Sequence, residues 1–136
     1  MLSVSILIPL YNEEEFVGEL LRRVIAAPLP DGLDREIIVV DDASTDSTPQ
    51  LADKIASEFN EVRVVHHDVN RKLGGSLKTG FAEARGELVL YTDSDLPFDM
   101  AEVTKAVRLL RIYDADIVSA FRFVRPGEAP RRLAYS

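Results

Sequence analysis

The segment Leu88–Pro97 carries the clearest candidate for chemistry, because its apolar run ends in two carboxylates, Asp93 and Asp95. The run has the residue types of a strand buried on both faces, and Pro97 cannot extend a sheet ladder. Two carboxylates this close repel each other unless a cation or a proton lies between them. The spacing favours a divalent metal that carries a phosphorylated ligand. The alternative is that Asp93 opens a surface turn and Asp95 caps the next helix.

Two further acidic clusters follow apolar runs. Three glutamates (13–15) come after Val4–Pro9, and Asp41-Asp42 comes directly after Glu36–Val40. The carboxyl ends of parallel strands share one edge of a sheet, which is where ligands bind. The alternative for each cluster is a helix cap or a favourable charge at a helix N-terminus.

The turn after the first strand lacks the glycine-rich sequence that lets backbone N–H groups approach a phosphate. Its glutamates would repel a phosphate instead. We therefore expect this edge to bind an uncharged part of a ligand, such as a base or a ribose, and the phosphates to be neutralised elsewhere.

Strands and helices alternate along the whole chain, which predicts an open, mostly parallel α/β sheet with right-handed crossovers. Asn12 with Glu15 predicts a capping box that opens the first helix, and Thr48-Pro49 predicts the start of the second. A loop over 68–76 is predicted to open the third helix, and Asp99 to cap the fourth. The predicted strands are 4–9, 36–40, 62–66, 88–93 and 117–121.

Bulk properties narrow the class of protein. A length of 136 residues fits one domain, and a net charge of −7 argues against nucleic acid as a partner. Without cysteine there is neither a disulfide nor a thiolate metal site, and His66 and His67 are predicted to point to opposite faces of a strand. The chain has no long apolar segment and no signal-peptide pattern, so we expect a cytoplasmic protein. Attachment to the inner face of a membrane through residues outside this chain stays open.

Several motifs resemble those of the family-two inverting glycosyltransferases of the GT-A fold. They are Ile6–Glu13, Ile38–Asp46, Asp93-Ser94-Asp95, the tripeptide at 84–86 and the segment 116–123. The chain most resembles the branch with polyprenyl-phosphate acceptors, of the dolichyl-phosphate mannose synthase type. The resemblance implies a Rossmann-like three-layer αβα sandwich and one nucleotide-sugar-binding domain over 1–136. A basic tail over 122–136 is expected to be disordered and to lead into a missing acceptor part.

The resemblance also implies roles for individual residues. Catalysis falls to Asp93, Asp95 and Arg122, and Asp95 with Asp93 is expected to bind Mg²⁺ or Mn²⁺. Arg131 and Arg132 match family arginines near phosphates, with a solvated tail as the alternative. The nucleotide-sugar contacts fall to Pro9, Tyr11, Glu13, Asp42, Gly74, Lys78 and Asp93.

Two positions depart from the family pattern. Pro97 stands where the polyprenyl-phosphate branch commonly has a metal-binding glutamine, so Asp99 either substitutes for it or caps a helix. The loop Asn70–Gly75 replaces Asn-x-Gly-x-Gly, which leaves the contact of Gly74 open, and an exposed side chain is the alternative for Lys78.

The implied reaction is metal-dependent transfer of a hexose from a GDP- or UDP-sugar to a polyprenyl phosphate. A saccharide hydroxyl as acceptor, which would need a general base, is one alternative. A catalytically incomplete nucleotide-binding module is another. A phosphotransfer receiver is disfavoured, because receivers have their acid pair after the first strand.

Overall fold

The described part of the chain forms a four-stranded parallel sheet flanked by four helices. The computed structural model describes residues 2–29, 33–91 and 102–119. The strands lie in the order β3-β2-β1-β4, and each neighbouring pair is parallel, as the sequence predicts. The elements are β1 (Leu2–Leu10), α1 (Val17–Ala26), β2 (Leu33–Asp41), α2 (Thr48–Glu58), β3 (Val62–His66), α3 (Lys72–Glu83), β4 (Leu88–Tyr91) and α4 (Val103–Tyr113).

The strand order changes direction at β1. The chain moves from β1 through β2 to β3 on one side and then returns to place β4 on the other side of β1. In open α/β sheets, ligands bind beyond the carboxyl ends of the strands at such a switch point. Asp93 and Asp95 follow β4 in the sequence, but they lie outside the described residues, as do Pro97 and Asp99.

Helices cover both faces of the sheet. Alternate residues of β1, from Val4 to Leu10, form one buried cluster with the inner sides of α1, α2 and α4. On the opposite face Leu7 packs under α3, where a Cβ added to Gly80 would lie 3.0 Å from the Leu7 side chain. Glycine therefore allows α3 to approach the sheet closely. The result is the three-layer arrangement that the sequence predicts.

A polar network fixes the start of β4 against β1. The Ser5 hydroxyl donates to Glu36 Oε1 at 2.6 Å and accepts from the Gly86 amide at 2.8 Å. The Arg85 amide donates to the same Glu36 oxygen at 2.7 Å, and Arg63 pairs with the other oxygen at 3.2 Å. Burial raises the pKa of Glu36, but the hydrogen bonds from Ser5, Arg85 and Arg63 outweigh it, so the pKa is lowered overall. Glu36 is thus held ionised between the strands.

Two predicted helix starts are wrong. The Asn12 side chain does not cap α1, which begins at Val17 after Phe16 and has no side-chain cap. Asn12 adopts φ = 52° and its Oδ1 accepts from the Thr45 amide, because the neighbouring loop competes for the same side chain. The start of α3 also lies earlier than predicted, at Lys72, so Gly74 belongs to the first turn of a helix and not to a loop.

The predicted fifth strand is not formed in its described part. Residues 117–119 have no regular secondary structure, and Ile117 is 82% exposed. A strand needs a neighbour to pair with its backbone N–H and C=O groups, and apolar composition alone does not supply one. The remaining two residues of that prediction, 120 and 121, are outside the described ranges.

Candidate functional site

The loops after β1 and β2 are joined by hydrogen bonds at the carboxyl edge. The Asn12 amide donates to Ser44 Oγ at 3.0 Å, and the Thr45 amide donates to Asn12 Oδ1 at 2.8 Å. The Glu13 amide donates to the Thr48 hydroxyl at 2.8 Å, and Thr48 is fully buried. The backbone from Asn12 to Glu13 is therefore fixed by the start of α2, and with it the position of the adjoining Tyr11.

Glu14 has a structural role in the same junction. Its amide donates to Asp46 Oδ2 at 3.3 Å, and its carboxylate accepts from the Ser47 amide at 2.9 Å, next to the start of α2. A carboxylate is favourable at a helix N-terminus. The alternative interpretation of the glutamate cluster, a favourable charge at a helix start, therefore describes Glu14.

Asp41 and Asp42 extend to opposite faces of the sheet, and each meets a histidine from the end of β3. On the α2 side, Asp41 Oδ2 lies 2.8 Å from His66 Nδ1, and Asp53 Oδ1 lies 2.8 Å from His66 Nε2. The hydrogen bond to Asp41, together with Asp53, raises the pKa of His66 above 6.5 against the effect of burial. This histidine connects the end of β2 to α2.

Asp42 binds the N-terminus of α3 on the other face. Its Oδ1 lies 2.8 Å from His67 Nδ1 and accepts from the Arg71 amide at 2.7 Å, and the residue is only 4% exposed. Burial raises the pKa of Asp42, but the hydrogen bonds from His67 and from the amides of Arg71 and Lys72 outweigh it, so the pKa is lowered. Asp42 is therefore an ionised acceptor near neutral pH.

Backbone in the left-handed region follows each of the first three strands. Asn12 has φ = 52°, Ala43 has φ = 60° and Lys72 has φ = 63°. Alanine and lysine rarely adopt this conformation, and such strain clusters at ligand sites. A change of hand between successive residues is typical of backbone that binds anions. Here the Arg71 amide donates to the Asp42 carboxylate at 2.7 Å, and the Lys72 amide donates to Asn70 Oδ1 at 3.1 Å.

The structure brings four of the predicted site residues to one edge. The Asp42 amide donates to the Leu10 carbonyl at 2.9 Å, which places Asp42 at the carboxyl end of β1. Pro9, Tyr11 and Glu13 are the predicted site residues around that strand end. Tyr11 is 48% exposed, so its ring is available for contact.

The remaining predicted residues are not part of this group. Gly74 and Lys78 are exposed on α3. Lys78 is six residues beyond Lys72, about 9 Å along the helix, as its alternative interpretation as an exposed lysine predicts. Asp93, Asp95 and Arg122 lie outside the described residues, and so do Arg131 and Arg132.

Sequence reasoning missed the two histidine–aspartate pairs, although it predicted that His66 and His67 point to opposite faces. The sequence did contain a signal for these pairs. A dipeptide of one residue type stands at the end of each of two predicted strands, Asp41-Asp42 at the first and His66-His67 at the second. If β2 and β3 are paired in parallel with those ends level, as the register Asp41↔His66 shows, each acid meets one imidazole. The register itself is not readable from either strand alone.

The described ranges contain no group of three or more histidine or acidic side chains arranged to hold a metal ion. The same ranges contain no helix that is long and apolar enough to cross a membrane. The predicted metal ligands Asp93 and Asp95 come after β4 in the sequence and lie outside these ranges.

Residues 5–134 match the family described as Glycosyl transferase family 2. The chain belongs to this family. The resemblance seen in the motifs is therefore confirmed, and the parallel α/β architecture agrees with that of solved family structures.

Curated relatives match nearly the whole chain but extend well beyond it. Glycosyltransferase AglD of Haloferax volcanii is 32% identical over 96% of the chain and 22% of its own length. An undecaprenyl-phosphate 4-deoxy-4-formamido-L-arabinose transferase of Pseudomonas fluorescens is 38% identical over 95% of the chain and 38% of its own length. A dolichol-phosphate mannosyltransferase of Pyrococcus furiosus is 33% identical over 93% of the chain and 35% of its own length. The chain thus spans two fifths or less of these family members.

Solved structures of the glycosyltransferases include ligand complexes. Mannosyltransferase PcManGT from Pyrobaculum calidifontis, in complex with GDP-Man and Mn²⁺, has a TM-score of 0.68 and 32% identity, over 79% of this chain and 32% of that one. S. aureus TarS in complex with UDP has a TM-score of 0.72 and 29% identity, over 85% of this chain and 34% of that one.

Proposed function

We propose that the chain is the donor-binding part of a metal-dependent glycosyltransferase that transfers a hexose from a nucleoside-diphosphate sugar to a polyprenyl phosphate. The observation that carries the proposal is the ionised, nearly buried Asp42 at the carboxyl edge, whose amide donates to the carbonyl of Leu10, the residue before the exposed Tyr11. Membership of the family and the nucleotide complexes of its solved structures support it.

Asp42 and Tyr11 suit a nucleobase. A carboxylate accepts a hydrogen bond from a ring N–H, and such charge-assisted bonds are the stronger ones in proteins. An aromatic ring next to it offers an apolar face for the base. Pro9 and Glu13 lie within two residues of Tyr11 in the same segment, so we assign all four residues to the nucleoside.

The diphosphate needs neutralisation from another part of the edge. At the N-terminus of α3, where amides would attract a phosphate, the Arg71 amide already donates to the Asp42 carboxylate and the Lys72 amide to Asn70 Oδ1. Carboxylate oxygens are the ligands that Mg²⁺ and Mn²⁺ prefer, and Asp93 with Asp95 would hold the ion. A bound divalent ion supplies Lewis acidity to the diphosphate leaving group. A relative with Mn²⁺ in its solved complex supports this assignment.

Two relatives named for undecaprenyl phosphate and dolichol phosphate support the proposed acceptor class. A phosphate monoester oxygen is ionised near neutral pH, so its attack on the sugar C1 requires no strong general base. The C1–O bond to the diphosphate breaks as the new C1–O bond forms. Arg122 is proposed to bind a phosphate of the donor or acceptor, since a guanidinium pairs with phosphate oxygens in a bidentate manner.

The test is isothermal titration of the chain with UDP and GDP, with and without Mn²⁺. We expect one of them to bind more tightly with Mn²⁺, and Asp95→Asn to abolish that gain. Asp34→Asn, which changes an exposed carboxylate at the amino end of β2, is the matched control and should retain the gain. Asp42→Asn should weaken binding with or without Mn²⁺ by about 10- to 150-fold, the loss of one charge-assisted hydrogen bond. Metal-independent binding by the wild type, or a full Mn²⁺ gain in Asp95→Asn, would contradict the metal assignment.

A further inference from the structure

His67 is a nearly buried side chain with a partner at each ring nitrogen. The residue is 8% exposed, its Nδ1 lies 2.8 Å from Asp42 Oδ1, and its Nε2 lies 2.8 Å from Thr79 Oγ1. Thr79 is on α3, and its hydroxyl also lies 3.1 Å from the Gly75 carbonyl, to which it can donate. His67 therefore connects the end of β3 to Asp42 and to α3.

The hydrogen-bond partners decide which nitrogen carries a proton. An ionised carboxylate only accepts, so the contact with Asp42 requires a proton on Nδ1. The single hydroxyl proton of Thr79 has two destinations, which are Nε2 of a neutral His67 or the Gly75 carbonyl. If the proton is donated to the Gly75 carbonyl, the Thr79 oxygen accepts from Nε2–H, and His67 is then an imidazolium. In both states Nδ1–H donates to Asp42, and the tautomer protonated only on Nε2 is excluded.

We propose that His67, oriented by Thr79, is a positioning residue that keeps Asp42 a pure acceptor and thereby selects a donor nucleotide whose base offers a ring N–H. This inference rests on the proposed function. The bases of this class are uracil, with N3–H, and guanine, with N1–H. Cytosine and adenine present a bare ring nitrogen at the corresponding place.

The geometry explains why His67 affects selectivity as well as affinity. The hydrogen bonds from His67 and from the Arg71 amide both end on Oδ1 of Asp42, and Oδ2 takes part in neither. They fix the plane of the carboxylate and favour its ionised form. Without His67 the carboxyl binds a proton more readily, and a protonated carboxyl donates to the bare ring nitrogen of cytosine or adenine. The ratio of affinities between bases with a ring N–H and bases without one then decreases.

The experiment compares matched nucleotide pairs on the chain, UDP against CDP and GDP against ADP, with Mn²⁺ present. We expect His67→Phe to lower affinity for the preferred nucleotide about tenfold and to lower its ratio over the matched partner by a similar factor. His67→Gln, which offers an amide donor at a similar reach, should restore part of the ratio. A fall in affinity with an unchanged ratio means a purely structural role and overturns the proposal, as does no change at all.

Thr79 provides a second pair of variants with a smaller change in shape. Thr79→Val removes the hydroxyl and should lower the same ratio, whereas Thr79→Ser should retain it. These variants decide the matter if His67→Phe does not fold, as judged by circular dichroism. A long-range ¹H–¹⁵N spectrum of the wild type should show a protonated Nδ1 on His67, and a ring protonated only on Nε2 would overturn the proposal.

The outcomes separate this inference from the proposed function. If the wild type binds none of the four nucleotides, the proposed function fails. If the wild type binds and Asp42→Asn weakens binding, but the His67 and Thr79 variants leave the ratio unchanged, only the role of His67 is wrong.

Discussion

Replacing Thr48 by valine removes one hydrogen bond from the loop that carries Tyr11 and Glu13. Thr48 is fully buried, and its hydroxyl accepts from the Glu13 amide at 2.8 Å. The Glu13 carbonyl in turn accepts from the amides of Phe16 and Val17, at 3.0 and 2.9 Å. Glu13 is therefore the point where the start of α1 is joined to the start of α2.

The expected loss of stability follows mainly from that contact. The Thr48 hydroxyl also hydrogen-bonds the Asp46 carboxylate, but Asp46 keeps the amides of Thr48 and Glu14 as donors. Valine has nearly the shape of threonine, so Thr48→Val opens no cavity, but the Glu13 amide loses its acceptor. A buried donor without a partner costs about 1–3 kcal/mol. The added methyl group returns less than about 0.8 kcal/mol, since it replaces one buried hydroxyl. We expect a net decrease of about 1–2 kcal/mol in the free energy of unfolding, measured by urea denaturation.

Thr48→Ser is the matched control, because it retains the hydroxyl and loses a buried methyl group. Its loss of stability should be similar, about 1 kcal/mol. The two variants should nevertheless differ in the β1–α1 loop. In Thr48→Val the Glu13 amide should exchange with solvent faster, and nucleotide affinity should fall several-fold. In Thr48→Ser the exchange rate of the Glu13 amide and the nucleotide affinity should stay close to the wild-type values.

The reasoning is refuted if amide exchange at Glu13 is the same in Thr48→Val and Thr48→Ser. It is also refuted if the two variants lose nucleotide affinity equally, since affinity would then follow overall stability and not the loop.

Two further predictions concern the frame around the site. Gly86→Ala should lower the free energy of unfolding by about 1–3 kcal/mol, because the added Cβ would lie 2.7 Å from the Ser5 backbone nitrogen. Gly18→Ala is the control and should not lower it, because the added Cβ meets only the end of an arginine side chain. Its test is urea denaturation, and equal stabilities would contradict it. His66 should stabilise the fold fully below about pH 6.5 and lose that effect as pH rises through its raised folded-state pKa. The difference in unfolding free energy between wild type and His66→Gln should therefore decrease from pH 6.5 upward, and a pH-independent difference would disprove this.

Much of the fold was predictable because it depends on local pattern. Apolar runs of strand length alternate with helical periodicity, and this alternation leads to parallel strands joined by crossovers. The same pattern predicts the acids at strand ends, Glu13 and Asp42 among them, at one edge of the sheet, and the family resemblance adds Pro9 and Tyr11 to that group. The prediction that Asn12 caps the first helix was wrong, because a local capping box and a distant loop compete for its side chain. The distant loop prevails here.

The amino-acid sequence by itself determined the parallel α/β class, the membership of the glycosyltransferase family and the edge where chemistry is expected. The tertiary structure decided which polar groups meet there. The pairs Asp41–His66 and Asp42–His67 join residues 25 apart, and Asn12 meets Ser44 across 32 residues. Such contacts depend on the register between β2 and β3 and on the approach of α3, which are set by packing of the whole sheet. A shift of one residue would exchange the two faces and separate His67 from Asp42.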